Sequence, residues 1–114
     1  MIDADPEDAD RAVIDERKVR DYLLNPLHAR GGHKARMFAA GLGYRRFDHA
    51  RLIKHIREGI LTHEAVRIDA VPYGERFRVE VPIVGPGGSA IVRTLWIIRT
   101  GEDVPRLTSA YQIK

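Results

Sequence analysis

The chain has no cysteine, which excludes disulfides and thiolate nucleophiles and removes the commonest ligand of structural zinc. It has no apolar run of membrane-spanning length. Its opening Met-Ile-Asp-Ala-Asp-Pro is acidic, where a secretory signal would be basic and then apolar. No membrane partner is expected. The cytoplasm is the expected location, with delivery by a specialised export machine left open. Internal repeats and low-complexity tracts are also lacking. At 114 residues the chain suffices for one core and one domain.

What is present is charge, unevenly placed. Residues 1–16 hold seven acids and one base, Arg11. The rest of the chain holds 18 of the 19 Lys and Arg but only 9 of the 16 Asp and Glu. A body with that excess favours an anionic partner. A merely solubilising surface is the competing reading, and a third is that the acidic segment lies over the basic face and competes with its ligand. Residues 1–12 read as an acidic disordered tail and 13–114 as a single domain.

Apolar spacing predicts helices first and strands second. Arg17 to Leu24 has an apolar side and is stopped by Asn25-Pro26. A helix from about Gly32 to Ala40 turns Met37 and Phe38 inward and ends at Gly41-Leu42-Gly43. Asp48 is the expected N-cap of a helix over residues 49–62, with Leu52, Ile53, Ile56, Ile60 and Leu61 at helical spacing. Period two then takes over, giving strands near 67–71, 76–84, 90–98 and 106–113. Ala12-Val13-Ile14 is a short strand or extended lead-in. The order implies an α+β fold, its N-terminal helices packed on one face of a four-stranded, mostly antiparallel C-terminal sheet, with the other face partly open and basic.

The densest chemistry lies in Asn25-Pro26-Leu27-His28-Ala29-Arg30-Gly31-Gly32-His33-Lys34-Ala35-Arg36. Imidazoles, cations and the N–H groups of a helix start gather there, as a phosphate site requires. Cleaving RNA without metal needs a base for the 2′-hydroxyl, cations for the charge growing on phosphorus, and an acid for the departing 5′-oxygen. His28 and His33 suit proton transfer. Lys34 and Arg106 suit charge stabilisation, and Thr108 can donate to a phosphate oxygen. Trp96 or Tyr111 can stack on a base, while Arg30, Arg36 and Arg99 can hold the backbone.

Each has a structural alternative. His28 can cap backbone carbonyls, Lys34 can face solvent, and Arg106 can pair with Glu102 or Asp103. Thr108 is an ordinary strand residue, and a central-strand Trp96 is more often core. Strand parity puts Arg106 and Thr108 on one face and Tyr111 on the other unless the strand bulges, so Tyr111 is the first to give up. His49, His55 and His63 lack the spacing of paired helix-face ligands, so no metal and no cofactor is expected. Gly85-Pro86-Gly87-Gly88 sits between strands and reads as a hairpin turn.

Two blocks carry a resemblance. One is Lys18-Val19-Arg20-Asp21-Tyr22-Leu23-Leu24-Asn25-Pro26 with His28, Gly31, His33-Lys34-Ala35, Phe38 and Leu42-Gly43-Tyr44. The other is Ala90-Ile91-Val92-Arg93, Trp96-Ile97-Ile98-Arg99-Thr100-Gly101-Glu102-Asp103 and Pro105-Arg106-Leu107-Thr108-Ser109-Ala110-Tyr111. Together, over residues 12–113, they resemble a bacterial domain-of-unknown-function family. Its members look like small stand-alone proteins beside a small partner gene, or modules of large secreted or phage-like proteins. That resemblance implies a toxin with a cognate neutraliser protein. The helices-then-sheet order is also similar to the RNase toxins of the barnase, EndoU, colicin D and RelE class. The expectation is a toxin-like ribonuclease, monomer or dimer, acting on RNA, with tRNA a candidate. A non-catalytic module that binds nucleic acid or a protein, or serves a secreted or phage assembly, is the alternative.

Overall fold

The computed structural model describes residues 11–30 and 32–113. Asp15 opens the first helix by accepting the N–H of Arg17 at 2.9 Å. This helix, α1, has one α-helical turn, Glu16–Lys18, and continues as a wider π-helical turn, Val19–Leu23. α2 covers Gly32–Gly41 and α3 covers His49–Ile60. The strands are β1, Ala65–Val71; β2, Gly74–Gly85; β3, Gly88–Arg99; and β4, Arg106–Gln112. They pair antiparallel in the order β1-β2-β3-β4. The helices pack on one face of this sheet, so the fold is α+β. The tail's residues 1–10, with Gly31 and Lys114, lie outside the described residues. Ala12, read as the end of that tail, is buried in the core, and Val13 forms a parallel bridge with Arg106.

The core follows from the apolar pattern. α1 contributes Val19 and Leu23, α2 contributes Phe38, and α3 contributes Leu52, Ile56 and Ile60, all fully buried. They meet Val79, Val81, Val92 and Trp96 on the inner face of the sheet. Each such side chain contributes about 1.5–3 kcal/mol through the water it sheds. α3 lies so close to β2 that a Cβ on Gly59 would stand 2.2 Å from Val81 Cγ1. Gly43, at a φ of 76°, lets the segment after α2 touch the β2–β3 turn, where Leu42 accepts the N–H of Gly87 at 2.9 Å.

Two local expectations change. Met37 points outward, 40% exposed, because Ala35 and Phe38 take the inner side of α2. Asp48 stands at the N-cap of α3 as expected, but its side chain makes no capping hydrogen bond to that helix. A 3₁₀ turn, Arg46–Asp48, precedes that helix, and the carboxylate of Asp48 accepts the N–H of Arg45 at 2.9 Å instead.

Among the described residues no helix is long and apolar enough to cross a membrane.

Candidate functional site

β4 decides which side chains meet. Leu107 pairs with Trp96 and Ser109 with Leu95, so Thr108 is an extra residue in a bulge. The bulge changes the parity expected from a regular strand. Arg106, Ser109 and Tyr111 pair with Ile97, Leu95 and Arg93, which share a face of β3. Tyr111 therefore lies on the same face as Arg106, and Leu107 and Ala110 are buried in the core. Thr108 stabilises the bulge by donating its hydroxyl to the carbonyl of Leu95 at 3.1 Å.

Beside the later part of β4 lies a small cleft against α2, and side chains of α1 reach its surroundings. Lys18 donates to the carbonyl of Thr108 at 3.2 Å. Lys34 donates to Ser109 Oγ at 3.0 Å, and its ammonium lies 5.4 Å from the Tyr111 ring centre and 5.8 Å from that of Tyr22. His28 meets the same Tyr22 edge-on, with ring centres 4.6 Å apart. His33 joins Lys34, Met37, Tyr111 and Gln112 around a hollow of about 200 Å³. Tyr22 thus links the histidine of the loop to the lysine of α2. Lys18 closes the α-helical turn of α1 and Tyr22 lies four residues on, in its π-helical turn.

The loop before α2 is built by its own sequence. The Asn25 side chain accepts the N–H of Leu27 at 3.0 Å, and its backbone carbonyl accepts that of His28 at 3.1 Å. Gly32 donates its N–H to the His28 carbonyl at 2.9 Å, and a Cβ on Gly32 would meet the Pro26 carbonyl oxygen at 2.6 Å. Only glycine lets this loop fold so tightly onto the start of α2. The Arg30 N–H donates to His28 Nδ1 at 3.1 Å, so the neutral ring carries its proton on Nε2.

The other candidates are engaged elsewhere. Arg106 holds Glu102 in a two-point pair at 3.1 and 3.2 Å, which raises its pKa and depresses that of Glu102. This is the loop-bracing alternative. Trp96 is 1% exposed, and its indole donates to Thr94 Oγ1 at 2.7 Å, which donates to the Val79 carbonyl at 2.7 Å. A ring sealed in the core offers no face to a base, which corrects its assignment as a stacking platform. Arg99 ends β3 six residues beyond the partner of Tyr111, about 20 Å away along the strand. Arg36 stands two positions from Lys34, on another side of α2, and donates to the Pro26 carbonyl at 3.2 Å. Arg30 is exposed at the loop's end.

The open face of the sheet is less basic in effect than its composition suggested. Arg93 donates to Glu80 at 2.6 Å, and Arg76 donates to Asp69 through Nε at 2.7 Å. The remaining histidines have fold partners: His49 contacts Glu16, His63 contacts the Gly59 carbonyl, and His55 Nδ1 lies 2.5 Å from the buried Tyr44 hydroxyl. Burial pushes the Tyr44 phenol up. Among the described residues no three His, Asp or Glu side chains gather as a metal site.

A family model, Domain of unknown function (DUF6883), matches residues 6–114. The chain belongs to the DUF6883 family. No curated protein and no solved structure matches it significantly. In this DUF6883 domain, the first of the two sequence blocks supplies Lys18, Tyr22, His28 and Lys34, and the second supplies Ser109 and Tyr111. Sequence reasoning missed Lys18, Tyr22 and Ser109. The four-residue spacing of Lys18 and Tyr22 was a readable signal, whereas nothing in Thr108-Ser109 announces the bulge.

Proposed function

We propose that this DUF6883 domain is a toxin-like, metal-independent endoribonuclease whose site is the cleft between α2 and the later half of β4, with side chains of α1 beside it. The observation that carries the reading is Lys34. Among the described residues it is held by a hydroxyl and two aromatic rings rather than by a carboxylate, and it shares Tyr22 with His28. Its charge is thereby presented to an incoming anion.

In the proposed reaction a phosphodiester sits over Lys34 and Ser109, and Lys18 extends the positive track along β4. His33 takes the proton of the 2′-hydroxyl, which attacks phosphorus. Lys34 stabilises the charge that grows on the phosphate oxygens. His28, once protonated, returns a proton to the departing 5′-oxygen. Gaining that proton on Nδ1 means releasing the Arg30 N–H, a loss of about 1 kcal/mol for an exposed neutral hydrogen bond. Tyr111 offers a stacking face to a flanking base. Arg106 braces the β3–β4 loop and Thr108 the bulge, rather than the phosphate.

The test is incubation of the purified chain with end-labelled tRNA and total RNA in the presence of a chelator. The expected products carry 2′,3′-cyclic phosphate and 5′-hydroxyl ends and are lost with Lys34→Ala. RNA left intact at high protein concentration, with and without divalent ions, would reject the reading.

A further inference from the structure

The opposite side of α2 carries a second feature, unrelated to the cleft. A groove of about 480 Å³ lies between the Leu24–Leu27 segment, α2 and the 3₁₀ turn. Its walls include Pro26, Ala35 and Ala39, and two large side chains stand open beside it: Leu27 is 90% and Phe47 79% exposed. Arg36, Arg45 and Arg46 rim it. The carboxylates nearby are Asp21, which Arg46 shares with Arg20, and Asp48, which accepts a backbone N–H. An apolar groove with a guanidinium rim selects an apolar anchor flanked by acids.

The chain itself supplies such a segment. Residues 1–10 begin Met1-Ile2 and continue with Asp3, Asp5, Glu7, Asp8 and Asp10. The described chain starts near enough. Ala12 is tied to α3, its carbonyl accepting from Arg57 at 2.7 Å. From Arg57 back to Asp48 the helix rises about 14 Å, and ten extended residues reach about 33 Å. We propose that residues 1–10 dock in this groove, with Met1-Ile2 against Leu27 and Phe47 and the acids over Arg36 and Arg45. The occupant is this chain's own segment, and the proposal is independent of RNA cleavage.

The test uses the full chain with Ala4→Cys, the only thiol present, carrying a nitroxide. The expected result is selective loss of the amide NMR signals of Leu27, Ala39 and Phe47, with recovery when the nitroxide is reduced. Leu27→Ser with Phe47→Ser should also restore the signals, and Arg45→Glu, which keeps the apolar walls, should weaken the loss. Raised salt should act like Arg45→Glu. Several results would overturn the proposal: no loss at the groove, loss confined to the β4 cleft, or loss that grows with protein concentration and so reports another copy. Groove signals that ignore the nitroxide but shift with an added RNA oligonucleotide would reassign the groove to nucleic acid. Because no readout is cleavage, an inactive chain with a filled groove and an active chain with an empty one remain distinct results.

Discussion

The two halves of β4 treat positive charge differently. Before the bulge, Arg106 is held by Glu102, and Arg11 lies 3.5 Å from Asp103, so the cations brace the β3–β4 loop. After it, Lys18 contacts a carbonyl and Lys34 contacts a hydroxyl and two rings. A guanidinium locked to a carboxylate is already satisfied. An ammonium held by neutral groups keeps its net charge for a ligand. The lesson is that a basic residue in a sequence names a charge but not its availability, which the neighbours set.

The contrast can be broken in several places. The largest effect is expected from Trp96→Ala, directly opposite Leu107 at the edge of the bulge. It should cost about 3–5 kcal/mol, because it empties a core site and strands the Thr94 hydroxyl network. Denaturant unfolding measures this, and a loss near zero would return Trp96 to the surface and the stacking role. Next comes Lys34→Ala, expected to lower RNA cleavage roughly 10²–10³-fold, as removal of one charge-stabilising donor does. Its midpoint of thermal unfolding should barely move. Arg106→Ala is the counterpart in the closed half: it should leave the cleavage rate close to that of the parent chain. Equal losses from Lys34→Ala and Arg106→Ala would erase the distinction between the halves.

The smallest effect concerns pH and the frame that holds the cleft. Asp21 ties α1 to the 3₁₀ turn. Arg20 first, and Arg46 second, hold its carboxyl far below the usual carboxylate range. Asp69 beside Arg76 and Glu102 beside Arg106 are shifted the same way. A carboxyl depressed in the folded state contributes stability above its unfolded pKa and loses it as pH falls through the folded one. Unfolding midpoints measured downward from about pH 5 should therefore decline less steeply in Asp21→Asn than in the parent. Identical slopes would show that the Asp21 pairs are equally formed in the unfolded chain.

Much of the architecture was legible because it rests on local periodicity. The four-residue apolar spacing of Leu52, Ile56 and Ile60 allows only a helix with one buried side, and the alternation of Phe77, Val79, Val81 and Ile83 allows only a strand with one. Asn25-Pro26 had to stop α1, and the second helix begins at Gly32 as its residue types implied. Asp48 took the N-cap position of α3, but its carboxylate went to the N–H of Arg45 in the preceding tight turn. Met37 failed because the neighbouring Ala35 and Phe38 met the core better.

The amino-acid order by itself thus determined an α+β domain, its element order, its lack of thiol chemistry and the basic balance of its body. Only the tertiary structure decided that Trp96 is sealed inside, that Arg106 is neutralised, and that Tyr22, His28, Lys34, Ser109 and Tyr111 are joined by one run of contacts. For Ser109 and Tyr111 the physical reason is the single extra residue at Thr108. A bulge depends on how β4 pairs with β3, and pairing between strands distant in the chain leaves no periodic trace in either one.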